Sequence, residues 1–209
     1  MNNAAAPIAA LVGVGKSFGA VTAVDRFDLE MFPGEIVALV GDNGAGKSTL
    51  IKIIAGAEKA DRGVIAFDGK PVTITSTGEA ISLGVQTVYQ EPQLFPELSV
   101  AENIFIGREI TKGGRIQWKQ EAEQMQELLA TVGLQPEIAS TAVGALSIAE
   151  QQQVSIAKAL ATDAKVLILD EPTATLTPAE TDYLLQMLQR LASNGMAIIY
   201  ISHRIPEVF

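Results

Sequence analysis

The sequence has no cysteine and a single histidine, His203, in 209 residues. Disulfide bonds and thiolate metal sites are therefore excluded, and so is any metal site built from several histidines. A bound metal ion would have to be held by oxygen ligands. Basic residues are also few, because 15 Lys and Arg face 24 Asp and Glu for a net charge of −9. This balance argues against a nucleic-acid-binding protein, which needs a basic surface to replace the counterions of the phosphate backbone.

Long apolar runs are lacking as well, although 48% of the residues are hydrophobic. Runs such as 166–169 (VLIL) and 196–201 (MAIIYI) are far shorter than the roughly 18 residues that a membrane-spanning helix needs. The first residues, MNNAAAPIAALVG, carry no basic residue ahead of their weakly apolar part, unlike a secretory signal. We therefore expect a cytoplasmic protein with a substantial core and no transmembrane segment.

Short apolar runs alternate with helical segments after residue 33. Segment 36–40 (IVALV) is typical of a buried strand, and 48–55 (STLIKIIA) has helical spacing and stops at Gly56. The runs at 166–169 and 197–201 are again typical of buried strands. This alternation predicts an α/β fold with a mainly parallel sheet flanked by helices.

Two regions depart from that alternation. Short alternating segments before residue 33 and at 63–74, the latter broken by Asp-Gly, predict hairpins and hence a small antiparallel lobe. Strand patterns disappear between about 92 and 162, where apolar residues at helical spacing precede Gly133. We expect a single domain made of an antiparallel β lobe at about 8–32 and 60–78, a core at about 33–60, 79–91 and 163–209, and a helical subdomain at about 92–162.

The tripeptide GKS occurs twice, in GVGKSF (13–18) and in GDNGAGKST (41–49). A phosphate loop, G-x-x-x-x-G-K-[ST], needs a glycine five residues before its second glycine. That position is Ala10 for the first copy and Gly41 for the second. Only the second copy follows an apolar strand and opens a helix, so that its backbone N–H groups converge on an anion. Lys16 of the first copy is predicted to be a solvated surface residue.

The second copy predicts nucleoside triphosphate binding. Gly44 and Gly46 would let the backbone approach phosphate, Lys47 would reach the β and γ phosphates, and the Ser48 hydroxyl would ligate Mg²⁺. A plain glycine-rich turn is the alternative, and the complete motif disfavours it. The nucleotide-binding candidates are Gly41, Asp42, Asn43, Gly44, Ala45, Gly46, Lys47, Ser48 and Thr49.

Two carboxylates, Asp170 and Glu171, end the run VLILDE. Adjacent strand residues point to opposite sides, so the two are expected to have separate roles. Asp170 would hold Mg²⁺, and Glu171 would take a proton from an attacking water molecule. The alternative is that both cap the turn that begins at Pro172.

Five segments occur in a diagnostic order: GDNGAGKST, TVYQEPQLFPELSVAENIFIG, LSIAEQQQVSIAKAL, VLILDEPTATLTP and IIYISHR. This order resembles the nucleotide-binding subunit of an ATP-binding cassette (ABC) transporter, from about Leu11 to the last residue. The resemblance implies a P-loop NTPase fold of the ABC type that binds ATP and Mg²⁺ and hydrolyses the ATP. It also implies that Phe18 stacks on adenine, that Gln90 senses or ligates Mg²⁺ near the attacking water, and that His203 contacts the γ phosphate. The residues alone would equally allow a core Phe18, a merely polar Gln90 and a structural His203.

The segment LSIAEQQ resembles the family signature LSGGQ, which binds nucleotide held by a different copy of the domain. Ser147, with a free hydroxyl at a helix N-terminus, and the N–H of Ala149 are therefore expected at the γ phosphate of a partner. The alternative is that Ser147 is a simple N-cap in a capping box with Glu150. Ile148 and Ala149 replace two signature glycines, and Glu150 replaces glutamine.

A second departure is Thr177, which stands where many family members have aspartate. With these two departures the chain resembles the subgroup that imports monosaccharides and related small polar solutes. In that subgroup one polypeptide usually carries two such domains. We accordingly expect the N-terminal domain of such a pair, truncated at its C-terminus.

The resemblance implies three kinds of partner. They are a second nucleotide-binding domain, in the same chain or as a homodimer; the permease subunits, meeting the surface around 90–98; and, indirectly, an external solute-binding protein. The chain would then lie on the inner face of a bacterial cell membrane. One alternative is an ATP-binding regulatory module with little hydrolysis. Another is a P-loop GTPase or small-molecule kinase, disfavoured because no N-K-x-D motif occurs.

Overall fold

The structure is a computed structural model that describes residues 6–42 and 44–203. The strands in this part are β1 Ala9–Phe18, β2 Val21–Met31, β3 Ile36–Val40, β4 Arg62–Phe67, β5 Lys70–Val72, β6 Val85–Val88, β7 Thr111–Lys112, β8 Arg115–Ile116, β9 Val166–Asp170 and β10 Ala197–Ser202. The α-helices are α1 Lys47–Ile54, α2 Thr77–Ser82, α3 Val100–Phe105, α4 Trp118–Val132, α5 Ile148–Leu160 and α6 Pro178–Ser193. Short 3₁₀ helices cover Pro136–Ser140 and Val143–Ala145.

The described residues form two compact units. The first comprises the chain up to Thr87, Ala164–Glu171, and the residues from Leu188 onward. The second comprises Val88–Asp163 and Pro172–Met187. Within the described ranges, no helix is long and apolar enough to cross a membrane.

An antiparallel sheet with strand order β2-β1-β4-β5 belongs to the first unit. Ala9 of β1 lies opposite Met31 of β2 on one side and Phe67 of β4 on the other. The turn between β4 and β5 is Asp68-Gly69, and both of its residues have positive φ. That conformation suits a two-residue hairpin, so the hairpins predicted from the alternating segments are confirmed.

A second sheet has the order β3-β10-β9-β6, and β10 runs parallel to both β3 and β9. Leu167 and Ile168 are neighbours in β9, so their side chains point to opposite faces of the sheet. Both are fully buried, which shows that β9 is covered on both faces, as parallel strands usually are. The α/β fold class expected from the sequence is confirmed.

Helix α1 is held against the sheets of the first unit by its apolar face. Leu50, Ile51, Ile53 and Ile54 are all buried in one cluster with residues of both sheets, such as Met31. Burying a side chain of this size contributes about 1.5–3 kcal/mol. This packing fixes the direction of α1 and therefore the position of its N-terminus.

The second unit is built mainly from α3, α4 and α5, and its core includes the fully buried Ile104, Leu129 and Val154. Helix α4 ends at Gly133, whose φ is 78°, as its spacing predicted. The expectation of a strand-free segment between 92 and 162 is wrong, since β7 and β8 form a short antiparallel hairpin there. Its turn is Gly113-Gly114, with φ of 60° and 75°, and paired glycines with positive φ are a known hairpin signal.

Candidate nucleotide site

The candidate site lies at one edge of the parallel sheet. Ser202 of β10 pairs with Val40 of β3, and Ile201 pairs with Asp170 of β9. Because these strands are parallel and in register, their carboxyl ends meet at the same edge. In open α/β sheets, ligands bind just outside the carboxyl ends of the strands.

The loop that follows β3 is shaped by glycines. Gly44 and Gly46 have φ of 88° and 85°, which side chains other than glycine rarely adopt. A Cβ atom on Gly46 would also lie 2.1 Å from the carbonyl oxygen of Ala23. The N–H of Ala45 donates to the carbonyl of Asp42 across 3.1 Å and closes a tight turn. Asn43, predicted to bind nucleotide, lies outside the described residues.

Helix α1 begins directly after this loop and has no side-chain N-cap among the described residues. Among the described residues, no side chain caps α1 and no acidic residue lies in its first turn, whereas α3 and α5 each begin with a serine and a glutamate in a capping box. The first N–H groups of a helix need partners, and here they are left to an anion. Ser48 is exposed and Thr49 is half-buried in this first turn.

Lys47 bends back over its own loop. Its Nζ donates to the carbonyl oxygen of Gly41 and, across 2.9 Å, to that of Asp42. Backbone carbonyls are neutral, so the charge of the amine is not neutralised by these contacts. The ammonium group is therefore ready to exchange them for phosphate oxygens.

The two carboxylates at the end of β9 differ in backbone and setting. Asp170 is the last residue of the strand and is half-buried; burial and the nearby charge of Glu171 raise its pKa, while Lys47 opposes the rise. Glu171 has φ of 47°, and its N–H donates to the carbonyl of Ile201 across 3.1 Å. We expected the alternation of strand side chains to point Asp170 and Glu171 to opposite sides. That reasoning does not apply, because the backbone of Glu171 is not extended.

His203 meets Glu171 directly. Its Nδ1 lies 3.4 Å from Oε2 of Glu171, and Glu171 is the more buried of the two side chains. The same edge of the sheet thus brings together residues from three distant parts of the sequence: Lys47, the neighbours Asp170 and Glu171, and His203.

Phe18 is the last residue of β1 and is 48% exposed, so it is not the core residue that the sequence also allowed. Lys16, two residues earlier, is not the solvated lysine that was expected, because its side chain is only 14% exposed. Its Nζ lies 3.1 Å from Oδ1 of Asp61 and donates to the carbonyl of Lys59 across 2.8 Å. The segment that follows α1 supplies both partners, which the local motif could not reveal.

Three predicted site residues, Gln90, Ser147 and Ala149, belong to the second unit. Gln90 is exposed, two residues after β6. Ser147 is the N-cap of α5 in a complete capping box: its hydroxyl and its N–H each donate to Oε2 of Glu150 across 2.8 Å. The expectation of a free hydroxyl is therefore wrong, and the capping box is confirmed. The contact of Ser147 with a partner's phosphate stays a prediction. Ala149 is half-buried in the first turn, beside an exposed Ile148.

Thr177 has the same role at the next helix. Its N–H and its hydroxyl donate to Oε2 of Glu180 across 2.8 and 2.7 Å. The residue that replaces the family's usual aspartate thus stabilises the start of α6.

A profile of the ABC transporter family matches residues 24–174, a span that includes the phosphate loop, the signature segment and both carboxylates. The chain belongs to the ABC transporter family.

Curated relatives and solved structures agree with this assignment. The cassette is 49% identical over 203 residues to the ribose import ATP-binding protein RbsA 2 of Escherichia coli O157:H7. The alignment covers 97% of this chain and 40% of that protein. It therefore spans about two fifths of the length of that relative. CbiO1 of Clostridium perfringens, part of the ABC transporter complex CbiONQ, superposes with a TM-score of 0.86 at 28% identity over 97% of this chain and 81% of its own. A dimeric bacterial ABC transporter cassette, MJ0796, gives a TM-score of 0.79 at 25% identity over 95% and 89%.

The ABC cassette also contains a structural residue that sequence reasoning missed. Asn103 of α3 is fully buried; its Oδ1 accepts from the N–H of Phe95 across 2.7 Å. Its Nδ2 donates to the carbonyls of Phe95, Leu98 and Ser99 at 2.9–3.2 Å. A lone amide inside an apolar helical stretch was the available signal. This side chain fixes the shape of the segment that follows Gln90.

Proposed function

We propose that the chain is the ATP-binding and ATP-hydrolysing domain of a bacterial importer for a monosaccharide or a similar small polar solute. The observation that carries the proposal is the convergence of Lys47, Asp170, Glu171 and His203 at one sheet edge in an ABC cassette. The ribose importer among its relatives supports the solute class.

The first step of the proposed cycle is nucleotide capture. The open N–H groups of α1 and the Lys47 ammonium would bind the phosphates, and the exposed ring of Phe18 would stack on adenine. Lys47 exchanges two neutral carbonyl acceptors for charged phosphate oxygens. Hydrogen bonds to charged groups are stronger than those to neutral ones, so the exchange favours the bound state.

The donor set near the loop fits Mg²⁺ bound together with a phosphate. In the described ranges, no cluster of three or more His, Asp or Glu side chains could hold a metal ion by itself. We assign the exposed Ser48 hydroxyl and the Asp170 carboxylate to the ion, and Gln90 is a further candidate from the sequence. Mg²⁺ usually takes one or two protein oxygens together with substrate phosphates, and it would neutralise phosphate charge there.

Glu171 is the proposed general base. Its carboxylate would take the proton of the attacking water, and His203, 3.4 Å away, would hold that carboxylate in place and contact the γ phosphate. Lys47 would stabilise the charge that develops on the phosphate oxygens during transfer.

Closure by a second nucleotide-binding domain would complete each site. Ser147 and the N–H of Ala149 would contact the γ phosphate of the partner domain, either in the same polypeptide or in a second copy. The dimer formed by the MJ0796 cassette supports this arrangement. The Ser147 hydroxyl must then be shared with, or released by, Glu150.

A cavity of about 520 Å³ in the second unit adjoins the surface around 90–98 that is expected to meet the permease, since Leu98 lines it, and it is proposed to extend that contact. It lies between α3 and α4 and is lined largely by apolar side chains, among them Leu98, Phe105, Trp118 and Met125. Trp118 is 71% exposed, and exposed aromatic residues at apolar grooves are typical of interfaces. The permease would hold the chain at the inner face of the membrane, while a solute-binding protein would act through the permease from outside.

Substitution of Glu171 by glutamine in the full polypeptide, assembled with its permease, tests the proposal. Glu171→Gln should bind ATP with normal affinity and lose at least about 100-fold in phosphate release, because an amide cannot accept the proton. Glu127→Gln, an exposed change on α4, should release phosphate normally. Unchanged turnover by Glu171→Gln would remove Glu171 as the base. Negligible turnover by the unaltered transporter would instead favour the regulatory module.

A further inference from the structure

The first GKS tripeptide is not a phosphate loop, yet it lies at the end of β1, directly before Phe18. Residues 16 and 18 lie on the same face of β1 because strand side chains alternate. The Nζ of Lys16 lies 5.4 Å from the centroid of the Phe18 ring. A lysine ammonium within about 6 Å of an aromatic face is attracted to it.

The ammonium of Lys16 is itself held from several sides. Besides the contacts to Asp61 and to the carbonyl of Lys59, Oε2 of Glu58 lies 3.7 Å from Nζ. The hydrogen bond from the Ser17 N–H, followed by that from Lys16, lowers the pKa of Asp61. Asp61 is a carboxylate at neutral pH in any case, and its contact with Nζ keeps the amine beside the ring.

Asp61 also fixes the backbone on both sides of Lys16. Its Oδ2 accepts from the N–H of Ser17 across 2.8 Å, and its own N–H donates to the carbonyl of Gly15 across 2.9 Å. The segment that contains Asp61 follows α1, the helix whose N-terminus forms the phosphate loop. The end of β1 is thus tied to the segment between α1 and β4.

We infer that Lys16 and Asp61 are positioning residues that orient the Phe18 ring for stacking on the nucleotide base. The inference rests on the proposed function, because it requires ATP at the phosphate loop. A free, exposed phenyl group would lose rotamer freedom when a base stacks on it. A ring already held by the Lys16 ammonium avoids part of that cost, and this is how preorganisation raises affinity.

Two ligands separate an effect on the base from an effect on the phosphates. ATP and inorganic tripolyphosphate share the phosphate chain, but only ATP has a base. By titration calorimetry on the full polypeptide, Lys16→Met should weaken ATP binding about threefold, the size expected of one cation–π contact. It should leave tripolyphosphate affinity unchanged, and Lys16→Arg should restore ATP affinity. Lys119→Met, at a side chain that is 91% exposed, is the matched control and should change neither affinity.

A double substitution makes the test specific for the ring. In a Phe18→Ala background, Lys16→Met should have no further effect on ATP affinity, since no ring is left to orient. Asp61→Asn should reproduce the selective loss for ATP, with thermal unfolding as the check that the fold persists. An unchanged ATP affinity, or an equal loss for both ligands, overturns the inference. Failure of the proposed function looks different, because Lys47→Met would then still bind both ligands.

Discussion

The hydroxyl of Ser147 donates to Oε2 of Glu150 across 2.8 Å, and the N–H of Glu150 donates back to that hydroxyl across 3.3 Å. This reciprocal pair closes the N-terminus of α5. It also places a carboxylate where the phosphate of a partner domain is proposed to arrive. The capping box therefore stabilises the helix, while its carboxylate repels an approaching phosphate.

Glu150→Gln should strengthen ATP-dependent pairing of two domains. The amide oxygen can still accept from Ser147, while the negative charge is removed. Two like unit charges about 4 Å apart in water repel by about 1 kcal/mol, so pairing in a Glu171→Gln background should tighten up to about fivefold, measured by sedimentation with ATP. Glu102→Gln alters an equivalent box at α3 and should leave pairing unchanged. Weaker pairing in Glu150→Gln would contradict the proposed approach of phosphate to α5.

Lys47→Met should abolish most ATP binding without unfolding the cassette. Loss of a hydrogen bond to a charged group costs about 1.5–3 kcal/mol, so ATP affinity should fall on the order of 10- to 100-fold. The melting temperature should hardly move, because the hydrogen bonds that Nζ makes to the described residues go to two carbonyls of its own loop. Lys52→Met, on the exposed side of the same helix, provides the control in calorimetric titrations. Equal ATP affinity in the two variants would rule out the loop as the phosphate site.

The free energy of unfolding should fall in acid because of the capping carboxylates. Hydrogen bonds from Ser99 lower the pKa of Glu102, and those from Thr177 lower the pKa of Glu180. A carboxylate with a lowered pKa in the folded state stabilises the protein above its unfolded pKa, about 4.3 for Glu. That stabilisation is lost as the pH falls through the folded value.

Urea unfolding between pH 7 and pH 3 measures this loss. The double variant Glu102→Gln/Glu180→Gln should show a smaller decrease over that range than the unaltered protein. Glu127→Gln, outside any capping box, should follow the unaltered curve. Three parallel curves would show that these hydrogen bonds do not couple folding to protonation.

Asn103→Leu should destabilise the second unit by about 1–3 kcal/mol. The change leaves the N–H of Phe95 without its acceptor, and an unsatisfied buried group costs about 1–3 kcal/mol. The carbonyls of Phe95, Leu98 and Ser99 lose a donor but each keeps a backbone N–H partner. Urea unfolding followed by Trp118 fluorescence measures the loss. Gln120→Leu makes the same amide-to-leucine change at an exposed position and should cost less than about 0.5 kcal/mol. Similar values for the two variants would show that the segment holds its shape without Asn103.

Structural features that depend on residues close together in the chain could be predicted from the sequence. Gly46, Gly133 and the Asp68-Gly69 turn take positive φ where the motifs required it, since a backbone conformation is set mainly by the residue itself and its chain neighbours. The Gly113-Gly114 hairpin could have been recognised in the same way. The capping box of Ser147 also spans only the four residues from Ser147 to Glu150, and it was recognised as an alternative.

The chain's own order of residues thus determined the strands, the helix ends and the phosphate loop, because these follow from steric limits and hydrophobic periodicity over a few residues. Tertiary structure alone decided that Lys16 pairs with Asp61, 45 positions away, that Asn103 binds the 95–99 segment, and that His203 contacts Glu171. Polar side chains accept any partner of suitable charge and geometry. Which partner they meet depends on how the strands register and pack, and no local pattern in the sequence records that.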